Sequence, residues 1–251
     1  CNIANPNLAI ITNANNAHLG EFGNLKNLVE AKGEILKSLS KDGIAFINNE
    51  SPHKKIWRKI SGTQEIIFFG NQSAIYASNI QQSTEDINFQ LNIGENKINI
   101  TLKLIGRHQV DNALAAAALA LSIGIKYEDI KIGLKNFSPD HHRMELVLSK
   151  NEINWIDDSK ATNPHAAAAS LLSNFKVIWI AGGLAKGASM SDLVKRCASR
   201  IKAVILIGED RELIAKAIGD YSPKIEVVRV NQISDAKTLM NDVVSAAIKL
   251  A

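Results

Sequence analysis

WIDDSKATNPHAAAAS, residues 155–170, runs a short apolar segment straight into an alanine-rich helix through a joint of two adjacent carboxylates, a lysine and a Thr-Asn pair. A strand that feeds a helix through so short a loop is half of a βαβ unit, and the sequence downstream repeats the theme. The apolar runs KVIWIAGG, AVILIGE and IEVVRV read as strands. They are separated by helical patterns over 191–202 and 211–219, and a last helix covers 234–250. Strands separated by helices of this length pair in parallel through right-handed crossovers, so residues 138–251 are expected to form a Rossmann-like, doubly wound α/β domain. In such a sheet, ligands sit beyond the carboxyl ends of the strands. The 155–170 joint and the glycine-rich AGGLAKG, 181–187, are both expected there, facing one crevice.

Upstream, the pattern is of a different kind. LAIITNA, GIAFINN and EIIFFG read as strands, and NLKNLVEAKGEILKSL (24–39) as an amphipathic helix. INFQLNI and INITLKL flank GEN as a hairpin, DNALAAAALALSIGI (111–125) and YEDIKIGLKNF (127–137) read as helices, and MELVLSKNEINWID forms a second hairpin after SPDHH, 138–142. SPDHH reads as a linker, which gives two domains, 1–137 with a mixed sheet plus helices and 138–251 as above. A chain of 251 residues with 46% hydrophobic content has apolar material for two modest cores.

Composition removes several function classes. The 29 basic and 25 acidic residues give a net charge of +4, but they are interspersed, which argues against nucleic-acid binding and suits a phosphate-bearing small molecule. Cys1 and Cys197 are the only cysteines and lie far apart, the usage of a reducing, cytoplasmic compartment. No apolar run approaches the ~20 residues that span a bilayer, so no membrane partner is expected. Oligomeric state is not legible in the sequence.

Within the expected crevice, Asp158 suits a ribose hydroxyl or a metal-bound water, Lys160 and Lys186 suit anionic oxygens, and Gly182, Gly183 and Gly187 would let backbone approach a ligand. A plainer reading stands beside each. Asp158 or Ser159 could cap the helix that opens at Pro164, and the glycines could serve a tight turn.

DDSKATNPHAA followed by WIAGGLAKGA resembles the carboxy-terminal domain of the Mur ligases, which add amino acids to the nucleotide-linked muramoyl peptide of peptidoglycan. The pairing of DSKATN with GG..KG, together with HHRMELV (141–147), resembles the D-glutamate-adding member. ITNANNAHLGEFGNLKNLVEAKGEI (11–35) and GRHQVDNALAAAALALSIG (106–124) are similar to the family's central ATP-binding domain, and most like the D-alanyl-D-alanine-adding member. The two halves thus resemble different siblings, which points to a joined or truncated sequence with its seam near Phe137.

The resemblance implies an ATP-dependent ligase that forms an acyl phosphate, uses Mg²⁺, and joins D-glutamate to a UDP-linked muramoyl peptide. It implies catalytic roles for His18, Lys32 and Lys186, with His18 and Lys32, the latter as a carbamate, at the metal. Partial burial on its helix would favour carbamate formation on Lys32. Asn112, Arg143 and Asp158 are implied for the nucleotide, sandwiched between domains that close about SPDHH. Lys160, Thr162 and Lys186 are implied for the amino acid. Gln109 departs from the asparagine usual at that position, and no G-x-x-x-x-G-K-[ST] phosphate loop occurs, so the chain alone is expected to fold without ligating. Two alternatives remain open: the D-alanyl-D-alanine ligase, or the related folylpolyglutamate synthetase, and a nucleotide-binding module without enzymatic activity.

Overall fold

Alternation along a single strand shows how the first half is built. In β2 (Ile44–Asn48), Ala45 and Ile47 point to one face of the sheet while Ile44 and Phe46 point to the other, and both faces are covered. The computed structural model describes residues 5–14, 22–62, 64–83, 85–183, 189–231 and 235–251. It divides into two compact units, Cys1–Ser138 and Pro139–Ala251.

In the first unit, a six-stranded sheet runs in the order β1 (Leu8–Ile11), β2, β3 (Glu65–Phe69), β4 (Ile75–Gln82), β5 (Ile87–Ile93), β6 (Asn96–Leu102). Strands β1 to β4 are parallel and β4 to β6 antiparallel, so the sheet is mixed. The β5–β6 hairpin turns at Gly94, whose φ of 56° lies in the left-handed region. Helices α1 (Leu25–Lys37) and α2 (Lys54–Ser61) cover one face, with Val29, Leu36 and Trp57 buried against Ala9, Ile11, Ala45 and Ile47. The indole of Trp57 donates to the carbonyl of Val29 at 3.0 Å, so its one polar atom is satisfied in the core. On the other face, α3 (Arg107–Ser122) and α4 (Tyr127–Asn136) bury Val110, Leu114 and Ile130 against Phe46, Phe69, Ile87 and Leu91.

The sequence pattern did not reveal α2, and it placed the start of α3 at residue 111. Helix α3 begins at Arg107, directly after Gly106 at φ 102° and with no side-chain cap to announce it.

In the second unit, β7 (Glu145–Lys150) and β8 (Ile153–Asp157) form an antiparallel hairpin. A three-stranded parallel sheet follows in the order β11 (Glu226–Arg229), β10 (Ile201–Ile207), β9 (Val177–Gly182). Helices α5 (Pro164–Leu172), α6 (Ser191–Cys197) and α7 (Arg211–Tyr221) pack on the face that carries Val204 and Leu206. Helix α8 (Ala236–Leu250) packs on the opposite face with Ile205, Ile207 and Trp155 of β8. Both faces of the parallel sheet are therefore helix-covered, the α/β arrangement expected for this half. Two details differ from the sequence reading. Strand β8 lies outside the parallel sheet, and α6 ends at Cys197 in a 3-10 turn because Ile201 already pairs with Val177. No described helix is long and apolar enough to cross a membrane.

Candidate functional site

The polar joint after β8 is organised by backbone amides. Asn163 caps α5, its side chain accepting from Ala166 N at 2.9 Å, with Pro164 in the first turn. The cap is therefore Asn163 and neither Asp158 nor Ser159. Asp158 is half-buried and both of its oxygens are engaged: Oδ1 accepts from Met144 N at 3.0 Å, and Oδ2 accepts from Ser170 Oγ on α5. Lys160 N donates to the carbonyl of His142 at 3.2 Å, and Thr162 N donates to the carbonyl of Lys160 at 2.9 Å. These bonds fold the 142–144 turn against residues 158–160. Arg143, Asp158 and Lys160 are thereby gathered at one end of the β7–β8 hairpin.

The free side chains at that end are cationic. Arg143 is exposed and only loosely held, its Nε 4.0 Å from Asp140 Oδ2. Lys160 and Thr162 are exposed beside it in sequence, at the mouth of the α5 N-terminus. One guanidinium, one ammonium and a helix N-terminus make a donor set suited to carboxylate or phosphate oxygens.

A second cluster at the same end was not legible in the sequence. His142 Nδ1 lies 2.7 Å from Asp157 Oδ2, and His141 Nδ1 lies 2.9 Å from Glu145 Oε1. The His142 ring, helped by the Ser159 amide, lowers the Asp157 carboxyl to about 2. The backbone N–H of His142 and then the His141 ring hold Glu145 below the usual carboxylate range, and the Glu145 contact raises His141. The paired histidines of SPDHHRMELV were the available signal, but only the turn geometry shows where each ring goes.

In the first unit, Lys32 is exposed on α1. The partial burial expected of it is absent, although its i, i+4 neighbours Leu28 and Leu36 are buried. Asn112 is exposed on α3, and its Nδ2 donates to Gln109 Oε1 at 3.2 Å. The longer amide at Gln109 thus reaches one turn along the helix to hold Asn112. Asp111, between them, was overlooked. Burial pushes its carboxyl up against the opposing pull of Arg107, whose guanidinium is 3.7 Å away.

The glycines after β9 have a structural use. A Cβ on Gly182 would stand 2.0 Å from the carbonyl oxygen of Ile207, and one on Gly208 would stand 2.5 Å from Gly183 N. They let the ends of β9 and β10, paired in parallel at Gly182 and Ile207, come close, with Asp210 N donating to the carbonyl of Gly183 at 3.1 Å. At Gly182 the close approach is to neighbouring backbone, whereas a Cβ on Gly183 would meet nothing within 4 Å. His18, Lys186 and Gly187 lie outside the described residues.

Two family models match the chain: the Mur ligase middle domain over residues 1–120 and the Mur ligase glutamate ligase domain over residues 142–249. A UDP-N-acetylmuramoylalanine–D-glutamate ligase of Thermobifida fusca is 48% identical over 144 residues, 57% of this chain and 30% of that protein. The crystal structure of MurF from Acinetobacter baumannii superposes with a TM-score of 0.80 at 25% identity, over 97% of this chain and 61% of that one. A structure named as the D-alanyl-D-alanyl ligase of the same organism superposes with a TM-score of 0.76 at 25% identity, over 98% of this chain and 54% of that one. The chain thus spans about a third of the curated relative and somewhat over half of the solved chains.

Proposed function

This chain belongs to the Mur ligase family, and from that premise we propose that it carries the central and amino-acid-binding parts of an ATP-dependent ligase that adds D-glutamate to UDP-N-acetylmuramoyl-L-alanine. In this reading ATP converts the substrate carboxylate to an acyl phosphate, and the amine of D-glutamate attacks it to give an amide, ADP and phosphate. Charge accumulates on the transferring phosphoryl group, so cations must surround it.

The observation that carries the reading is the construction of residues 157–163. There Asp158 is fixed from both sides, Asn163 caps α5, and Lys160 and Thr162 are left exposed at the helix mouth. Lys160, Thr162 and Lys186 are assigned to the incoming amino acid, where a second cation favours a dicarboxylate over a neutral dipeptide. Asn112, Arg143 and Asp158 are assigned to the nucleotide. The exposed Arg143 guanidinium and the exposed Asn112 amide fit a phosphate and an adenine edge in donor chemistry. Because Asp158 already accepts two hydrogen bonds, a ribose hydroxyl would add a third donor to a carboxylate that has lone pairs to spare.

Mg²⁺ is assigned to His18 and to Lys32 as a carbamate, and with Lys186 these are the residues assigned to catalysis. Of the two metal ligands only Lys32 is described, and an unmodified ammonium repels a cation. Of these two assigned ligands the described residues therefore offer none until Lys32 is carbamoylated, and the chemistry above takes no step through the ion.

Calorimetric titration of the chain with D-glutamate and with D-alanyl-D-alanine tests the assignment. D-glutamate is expected to bind, and Lys160→Ala to weaken it at least tenfold. Preference for D-alanyl-D-alanine would instead favour the second reading, which the likeness to the D-alanyl-D-alanyl ligase structure supports. Binding of ADP with no binding of either amino acid would leave a nucleotide-binding module.

A further inference from the structure

Glu145 and Asp157 stand directly opposite each other as a registered pair across antiparallel β7 and β8. Two carboxylates so placed destabilise a hairpin unless a cation lies between them. The turn that precedes β7 supplies the means. His142 and Met144 both adopt positive φ, 67° and 51°, and this folds the chain back so that His142 and His141 lie over the acidic pair.

Each carboxylate has one oxygen fixed by a backbone amide. Glu145 Oε2 accepts from His142 N at 2.8 Å, and Asp157 Oδ1 accepts from Ser159 N at 2.9 Å. Of the other two oxygens, Asp157 Oδ2 faces the His142 ring and Glu145 Oε1 faces the His141 ring. One ligand atom each from His142, Glu145 and Asp157 falls within 4.8 Å of the other two. His142 Nδ1 and Asp157 Oδ2 stand 2.7 Å apart. Bonds of about 2.0–2.1 Å in a tetrahedral site place ligand atoms about 3.3 Å apart, inside the range the three residues already span.

We propose that His142, Glu145 and Asp157 form a three-ligand site for a divalent cation of the zinc class, with a fourth position open to water. One imidazole nitrogen with two carboxylate oxygens is a borderline set that favours Zn²⁺ or Co²⁺ over Mg²⁺, which demands oxygen ligands in near-octahedral array. The ion takes the place of the hydrogen bond between His142 Nδ1 and Asp157 Oδ2, because metal and proton compete for the same lone pairs. His141, on Glu145, and the Ser159 amide, on Asp157, orient the ligands from behind. The ion neutralises the facing carboxylates and ties together the strand ends that carry Arg143 and Asp158.

The test is calorimetric titration of the full chain with ZnCl₂ and with MgCl₂, in a Cys1→Ser background so that the terminal thiol does not compete. One Zn²⁺ per chain is expected, with Mg²⁺ at least a hundredfold weaker. Glu145→Gln and Asp157→Asn, which keep side-chain shape, should each weaken zinc by tenfold or more. Absence of saturable zinc binding, or unchanged affinity in both variants, would overturn the proposal. Should either variant fail to fold, paramagnetic broadening by Co²⁺ of the His142 ring resonance in the otherwise unsubstituted chain decides the matter. Broadening there supports the site, and its absence with Co²⁺ bound elsewhere overturns it.

Discussion

Asp158 shows how a single carboxylate is readied by its surroundings. The Met144 amide holds one oxygen and the Ser170 hydroxyl holds the other, so the side chain has one orientation before any ligand arrives. Ser170→Ala removes one of the two donors from a half-buried acceptor and is expected to cost about 1 kcal/mol, measured by urea unfolding. The Met144 bond remains in that variant, so the far-ultraviolet circular dichroism should not change. Little of this was legible in the sequence. The acidic pair announces itself in WIDDSK, but its partners come from a turn more than ten residues earlier and from α5, and only folding brings them together. Lys32 gave the opposite lesson: its motif was readable, yet its exposure was not, since it shares a helix face with the buried Leu28 and Leu36.

Helix starts and strand ends separate what local chemistry fixes from what packing against neighbours decides. Asn163 with Pro164 behind it is a strong local signal, and α5 begins where that signal places it. Asn163→Ala should therefore destabilise the second unit by about 1 kcal/mol, seen as a lower urea midpoint. Asp235 caps α8 in the same way, accepting from Thr238 N at 2.9 Å, and the Thr238 hydroxyl and amide hold its carboxyl below the ordinary carboxylate range. A carboxyl lowered in the folded state adds stability above its unfolded value, and that stability is lost as the pH falls through its folded value. Asp235→Ala should thus melt below the unsubstituted chain near neutral pH, and the gap in Tm should close as the pH drops below about 4.

By contrast, α2 was hidden. KKIWRKIS is short and half basic, and its helical state is secured by burial of Trp57 against Val29, a partner 28 residues away. Gly182 is an intermediate case, since the glycine run was visible but its ladder partner Ile207 was not. Gly182→Ala would drive a methyl into that carbonyl and should cost about 3 kcal/mol, again by urea unfolding.

At the scale of the whole molecule, strand-helix alternation was enough to read a parallel sheet in the second half, because crossover length dictates pairing direction. The separate hairpin of β7 and β8 could not be read the same way. Its alternation is that of any strand, and its place outside the parallel sheet is set by Trp155 joining the core beneath α8. Each unit has its own cores, so core damage should stay local. Phe46→Ala is expected to cost about 3–5 kcal/mol and to accelerate amide exchange within Cys1–Ser138, leaving protection in Pro139–Ala251 unchanged.

The six-stranded sheet contains a weak seam. Between β3 and β4 the register is a single pair, Phe69 with Ile75, whereas the flanking ladders are several pairs long. Cooperativity between the parallel and antiparallel halves of that sheet must then travel through α3, whose Leu114 is fully buried among side chains from both sides of the seam. Truncating Leu114 to alanine should accordingly do more than loosen a core: it should split one melting event into two, the three-stranded meander outlasting its parallel neighbour.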